Sequence, residues 1–216
     1  MKSFSELAYS VKYEITGSRT RVKDKDPALE LIGEGRSAFV FRINSTNKVI
    51  KVFFAPFCHL AKEEAEIYKK LIGIPSYPEL YEFGANYLVI DYVDGNTLFN
   101  CLVKGIMVTS DHIKEIDSAL LQAKKKGLNP SDIHLRNIMI TSHGDIKIID
   151  VARFRQTKKC SQWIDLKTGF YHYYKYRIFP KKIPAFLLNT IAFFYKKKLI
   201  HRFFIKKSNL KNKMVG

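Results

Sequence analysis

Cysteine is scarce in this chain. The three residues, Cys58, Cys101 and Cys160, lie far apart among 216 and form no Cys-x-x-Cys pair. That excludes a disulfide frame and a thiolate zinc site, and it reads as incidental thiols in a reducing compartment. Long apolar runs are missing as well. None approaches the ~20 residues that a bilayer-spanning helix needs. The opening residues, MKSFSELAYSVKYE, lack the apolar core of a secretory leader. A cytoplasmic protein without a transmembrane segment is expected. No internal repeat or low-complexity linker is visible. Acids are missing from one region: from Val151 to the end there are 17 Lys/Arg and a single acid, Asp165. The first 150 residues hold 20 bases and 19 acids, so the last third carries almost all of the net charge of +17.

What is present argues for a folded chain. A hydrophobic share of 46% and an aromatic share of 13% exclude disorder. The length suits one large domain or two small lobes with a sizeable core. Residues 1–28 form a lead-in with weak strand signals, VKYEI and TRV. ALELIGEGRSAFVFRI then alternates apolar and polar residues around a glycine turn, a hairpin signature. VIKVFF is a β-branched and aromatic strand. HLAKEEAEIYKKLIG has helical spacing and a C-terminal Gly73. YPELYEFG and NYLVIDYV read as two more strands. TSDHIKEIDSALLQAKKKG predicts an amphipathic helix capped by Ser110 or Thr109 and ended by Gly127. NIMIT and DIKIID are short strands joined by SHG. Beyond Arg155 no strand is expected, and residues 162–205 read as aromatic-rich helical material broken by Pro180 and Pro184.

Four groups of residues carry a chemical signal. Gly33 and Gly35, followed by Ala38 and Val40, lie between two strands. Such a turn lets backbone approach phosphates, although a Gly-x-Gly alone is equally an ordinary hairpin turn. A dinucleotide fingerprint is disfavoured, because strand–turn–helix would be required. Lys51 sits in an apolar strand, and Glu64 shares the inward face of the following helix with Ile67 and Leu71. A buried lysine needs a partner. A Lys51–Glu64 pair would hold the ammonium where it can bind phosphate oxygens, although Lys51 alone also fits a snorkelling edge residue. In the stretch PSDIHLRNIMITSHGDIKIID, a two-strand hairpin returns the chain to its start. Asn137 and Asp150 can therefore share a Mg²⁺, a cation that takes oxygen ligands. Asp132 can orient a nucleophilic hydroxyl before it. Positioning and charge neutralisation are most of what phosphoryl transfer requires.

This order of parts resembles the protein-kinase-like superfamily: glycine hairpin, lysine strand, glutamate helix, hinge, helix, catalytic loop and metal aspartate. The match runs over about residues 29–155. The resemblance implies an α+β, two-lobed fold. Residues 1–28 would be a lead-in, 29–95 a small antiparallel β lobe, and 96–216 a reduced helical lobe. It also implies ATP and Mg²⁺ as cofactors. Asp91, Tyr92 and Val93 would face adenine through backbone groups, with Asp94 or Asn96 near the ribose. Lys51 would hold the α/β-phosphates, Asn137 and Asp150 the metal, and Asp132 the acceptor hydroxyl. His134 would contact the transferred phosphate or remain a surface histidine.

The pattern departs from typical protein kinases in several places. Ala38 stands where a third loop glycine is usual. Pro130-Ser131-Asp132 replaces His-Arg-Asp, and Asp150-Val151-Ala152 replaces Asp-Phe-Gly. No Ala-Pro-Glu follows. His134, two residues after Asp132, makes the chain similar to the atypical branch of RIO-type, antibiotic and choline kinases. The implied activity is phosphotransfer to a Ser/Thr hydroxyl of a protein substrate. The rivals are transfer to a small alcohol of the aminoglycoside or choline kind, and a non-catalytic ATP-binding scaffold. The basic, aromatic tail 151–216 is expected to complete the lobe, or to draw an anionic partner, either RNA or a lipid surface. In the last case the protein would sit peripherally at the membrane. Ile183–Tyr195 is apolar, flanked by lysines, too short to span a bilayer, and suited to a buried or interfacial helix.

Overall fold

The computed structural model describes residues 2–17 and 19–197. A five-stranded antiparallel sheet is its first organising element. It is built from β3 (Leu29–Glu34), β4 (Ala38–Ile43), β5 (Lys48–Phe53), β6 (Leu80–Phe83) and β7 (Tyr87–Asp91), in the spatial order β3-β4-β5-β7-β6. Alternation along the strands divides their side chains between two faces. One face sends Phe39, Phe41, Ile50, Val52, Tyr87 and Val89 outward, away from the helical half. The other sends Ala38, Val49, Phe53, Leu88 and Ile90 into a core that runs on into that half.

The outward face is covered by the chain's first residues. Helix α1 (Phe4–Ser10) and the hairpin of β1 (Lys12–Thr16) and β2 (Arg19–Asp24) set Leu7, Ala8, Val11, Tyr13 and Val22 against it. The sequence signals for the two strands are met, but the helix before them was not anticipated. It is capped by Ser3, whose hydroxyl accepts from the Glu6 N–H while the Glu6 carboxylate accepts from the Ser3 N–H.

Helix α2 (Leu60–Leu71) lies on the inner face and buries Ala61, Glu64, Ala65, Ile67, Tyr68 and Leu71. Beyond β7 the chain forms β8 (Gly95–Thr97), which pairs with the later strand β9 (Ile138–Thr141), and then helix α3 (Leu98–Lys104). A side chain on Gly95 would meet the Ile140 carbonyl oxygen at 2.3 Å, so only glycine allows this approach. Helix α4 (Ser110–Lys125) is capped by Thr109 and buries Ile113, Ile116, Ala119, Leu120 and Ala123. It ends at Gly127 in the left-handed region, φ +74°. β9 pairs antiparallel with β10 (Ile146–Ile148) as expected.

Helix α5 (Gln162–Gly169) continues into a π-helical turn, Phe170–Tyr174, and α6 spans Ala185–Lys196. Asp117 of α4 anchors α5, accepting from the Trp163 indole at 2.7 Å and pairing with Lys167 at 3.0 Å. Pro180 and Pro184 interrupt the helical material where expected, Pro184 standing at the start of α6. The end of the expected helical run, and the basic stretch from residue 198 on, lie outside the described residues. The architecture is α+β: a small antiparallel β lobe and a small set of helices. No described helix is long and apolar enough to cross a membrane.

Candidate active site

Three charged side chains meet between the sheet and the β9–β10 hairpin. Lys51, on the inner face of β5, donates to both Glu64 oxygens, at 2.9 and 2.7 Å, and to Asp150 Oδ1 at 3.1 Å. Only 1% of the Glu64 surface is exposed. It occupies the inward stripe of α2 because it lies one helical turn from Ile67 and Tyr68. Asp150 is brought in by the hairpin, which returns the chain so that the Ile149 N–H donates to the Asn137 carbonyl at 2.9 Å.

The loop before β9 adds the remaining groups. The Asn137 amide donates to the Asp132 carbonyl at 3.1 Å, and the Asn137 N–H donates to the His134 carbonyl at 2.9 Å. Contacts therefore run unbroken from Lys51 through Asp150 and Ile149 to Asn137, Asp132 and His134. Asp132 and Asp150 both hold positive φ, +61° and +58°. This conformation is uncommon outside glycine, although aspartate is among the residues that tolerate it best.

The electrostatics of the triad follow from two carboxylates facing one ammonium. Burial works against the charge on Lys51, but Glu64 and Asp150 outweigh it and raise the lysine above its ordinary value. Burial pushes Glu64 up, against the pull of Lys51 and assisted by the charge of Asp150. The Lys51 ammonium holds Asp150 below the usual carboxylate range, against the effect of its burial. One negative charge is left over on the side of Asp150, the more exposed of the two acids. Burial also lowers His134, outweighing the nearby carboxylates of Asp132 and Asp150, and so favours a neutral ring at pH 7.

The glycine turn stands in register with the lysine. Gly33 pairs with Val40, Val40 with Lys51, and Lys51 with Leu88, so these residues form one row across the inner face. At the tip the Gly35 N–H donates to the Ala38 carbonyl at 2.8 Å, and a Cβ on Gly35 would lie 3.1 Å from that oxygen. The crossing from β7 to β8 is held by its own bonds. The Asp91 N–H donates to the Glu79 carbonyl and its carboxylate accepts from the Glu79 N–H and the Tyr81 hydroxyl. The Tyr92 N–H donates to the Asn47 carbonyl. Any adenine contact in this trio would fall to the carbonyls of Asp91 and Tyr92, or to Val93. Of the two ribose candidates, Asn96 accepts from Lys104 at 2.7 Å, and the Asp94 carbonyl accepts from the Ser142 N–H.

Three further residues were not anticipated. Arg153 Nε lies 3.4 Å from Asp132 Oδ2. Asn129 fastens the approach to Asp132 onto the segment beyond Asp150, donating through its side chain to the carbonyls of Gln156 and Lys158 and through its N–H to that of Phe154. Tyr68, one turn after Glu64, places a buried hydroxyl beside the backbone of Asp150, with no hydrogen-bond partner within 3.5 Å among the described residues. Of these, only Asn129 carried a local signal, since Asn-Pro marks a turn.

No protein-family model matches the chain. Individual proteins do. It is 46% identical over 203 residues to the Bacillus subtilis (strain 168) protein named "Putative serine/threonine-protein kinase YrzF", covering 93% of this chain and 94% of that one. It is 30% identical over 89 residues to CBL-interacting protein kinase 9 of Oryza sativa subsp. japonica, covering 38% of this chain and 20% of that protein. It is 34% identical over 68 residues to "Probable serine/threonine-protein kinase SCO3848" of Streptomyces coelicolor, covering 30% and 10%. With a β lobe that carries the lysine–glutamate pair, a hairpin that returns the second aspartate to it, and likeness along nearly its whole length to the Bacillus protein, the chain belongs to the protein-kinase-like family.

Proposed function

We propose that the protein is an ATP- and Mg²⁺-dependent phosphotransferase acting on the Ser/Thr hydroxyl of a protein. The observation that carries this reading is the Lys51–Glu64–Asp150 triad, joined through the β9–β10 hairpin to Asn137 and Asp132. In this reading Lys51, held by Glu64, binds phosphate oxygens. The row Gly33–Val40 and the turn at Gly35 and Ala38 lie over them, and the crossing Asp91–Val93 receives the base. Asp150 and Asn137 suit Mg²⁺, being a carboxylate beside surplus negative charge and an amide whose nitrogen is already spent on Asp132. Bound there, the ion would neutralise phosphate charge. Asp132 accepts the proton of the acceptor hydroxyl as its oxygen bonds the terminal phosphorus and the bond to the leaving diphosphate breaks. A neutral His134 offers that phosphoryl group a hydrogen bond rather than a charge.

The test is transfer of the labelled terminal phosphate of ATP by the purified full chain, to itself and to protein acceptors, with Mg²⁺. Asp132→Asn is expected to keep ATP binding and lower transfer by at least about 100-fold, the scale of a lost proton acceptor. Transfer that survives Asp132→Asn would refute the assigned role. ATP binding with no transfer to any protein or small alcohol would favour a scaffold, and transfer to small alcohols alone would favour the antibiotic- and choline-kinase kind.

A further inference from the structure

The second half of the chain contains an apolar helix that is turned the wrong way for a core element. In α6 only Leu188 is buried. Leu188, Asn189, Ile191, Ala192 and Tyr195 line a cavity of about 390 Å³ shared with His134 and Leu135 of the loop before β9. The opposite stripe, at i, i+4 and i+7, carries Phe186, Thr190 and Phe193, with Leu187 and Phe194 beside it. Phe186 is 71% exposed, Phe193 53%, Leu187 43% and Phe194 41%. Ile178, on the connection into the helix, is 96% exposed. Contiguous exposed apolar side chains of this size mark an interaction site rather than ordinary surface.

The charge pattern identifies the partner. No charged residue occurs from Ile183 to Tyr195, while Lys181 and Lys182 precede this run and Lys196 and Lys197 follow it. An apolar stripe about 12 Å long on a helix with cations at both ends matches a helix lying in a bilayer interface, its phenylalanines among the upper acyl chains and its lysines at anionic headgroups. A nucleic-acid strand would meet no cation along that length, against the continuous basic track such binding uses. A second copy would bring one strongly basic surface against another. We infer that the outward face of α6 docks the protein onto an anionic membrane surface. This inference stands independently of the phosphotransfer reading. It does have a geometric consequence for the site: Arg136, one residue before Asn137, donates to Asn189 of α6 at 2.9 Å and stacks over Phe99, so the docked helix is one hydrogen bond from the loop that carries Asp132.

The experiment is vesicle co-sedimentation of the full chain, with phosphatidylcholine alone and with phosphatidylcholine plus phosphatidylglycerol. Binding to the anionic vesicles is expected to be at least tenfold tighter, and Phe186→Ser/Phe193→Ser should weaken it at least tenfold with unchanged circular dichroism. Lys182→Glu/Lys197→Glu should weaken it with every stripe residue unchanged, although Lys197 lies over the Phe193 ring at 4.6 Å. In a Phe193→Trp chain, brominated lipid should quench emission beyond the quenching of the parent, whose one tryptophan is Trp163. The inference is overturned if the serine variant binds anionic vesicles as tightly as the parent. Bound Phe193→Trp that is quenched no more than the parent would also overturn it. So would finding that the phenylalanine changes abolish only self-association or RNA binding while vesicles are never bound.

Discussion

The first 150 residues and the remainder handle charge and apolar surface in opposite ways. Up to residue 150 the decisive charges are drawn inward and paired, as in the Lys51–Glu64–Asp150 triad, and the exposed large apolar side chains are spread along the chain, with only Ile106 and Met107 adjacent. After it, bases outnumber acids 17 to one in sequence, and nine of the seventeen exposed large apolar side chains among the described residues fall between 164 and 194. The difference teaches that the two parts face different surroundings. A phosphate site of the proposed kind would need to desolvate charges and fix them, whereas a surface of the inferred docking kind would leave apolar groups in view.

Unpairing the triad should break the comparison most severely. Lys51→Met leaves Glu64 buried without its cation, and the expected loss of stability is about 3–5 kcal/mol. The cost should depend on pH. Without the ammonium, burial and Asp150 raise Glu64 further above its unfolded value. An acid with a raised folded pKa binds more protons folded than unfolded in the interval between the two values, so folded stability falls as pH rises through that interval. The variant should therefore lie closer to the parent at pH 5 than at pH 8 in urea denaturation. Lys51→Met/Glu64→Gln should recover part of the loss and flatten this dependence. A single variant equally stable at both pH values would show that Glu64 is not held in the buried, unpaired state that the geometry requires.

A smaller effect is expected where the two regions are stitched together. Asn129 bridges them through the carbonyls of Gln156 and Lys158, and Asn129→Ala leaves both without that donor. A loss of about 1–3 kcal/mol is expected. Phosphate transfer should fall more than ATP binding, because Asn129 lies three residues before Asp132 and is not part of the Gly33–Val40–Lys51 row. Equal loss of both, measured by transfer rate and nucleotide titration, would show instead that the bridge supports the whole cleft.

Much of this was legible in the chain wherever a local pattern and a tertiary role coincide. Alternation marked the β3–β4 hairpin, and β-branched and aromatic content marked β5. The helical spacing of Glu64 with Ile67 and Leu71 placed it facing inward, and the short hairpin returns the chain from Asn137 to Ile149, one residue before Asp150. Contacts that depend on distant segments were not legible. Lys51 meets Asp150 across 99 positions, and nothing near either residue announces that two carboxylates share one ammonium. The contact of Arg153 with Asp132 is of the same kind. Helix α1 carried its Ser3–Glu6 capping box in plain view, but it is seven residues long, and its packing on the back of the sheet decides its conformation more than its propensity does. The stretch up to Leu98 was read as strand and hinge and residues 99–104 were given no element, because the pairing of Gly95 with Thr141 is set by a strand more than forty residues later. In α6 the run AFLLNTIAFFY is apolar nearly all round, so the sequence left open which face would turn to solvent.

The smallest expected effect concerns the one group in the charged centre that has no assigned work. Burial, and then the charges of Glu64 and Asp150, raise the Tyr68 hydroxyl well above the ordinary tyrosine value, so it stays protonated throughout the useful pH range. It has no hydrogen-bond partner within 3.5 Å among the described residues, and the backbone of Asp150 is what opposes the rise. A buried hydroxyl left unpaired costs stability that a ring edge of the same shape does not. Tyr68→Phe should therefore leave stability unchanged or raise it by up to about 1 kcal/mol. Phosphate transfer should stay within about twofold, since the triad keeps all of its charges. A tenfold fall in transfer at unchanged stability would mean that the hydroxyl positions Asp150 during turnover. The paired-charge region would then include an uncharged fourth member, held in reserve until nucleotide binds.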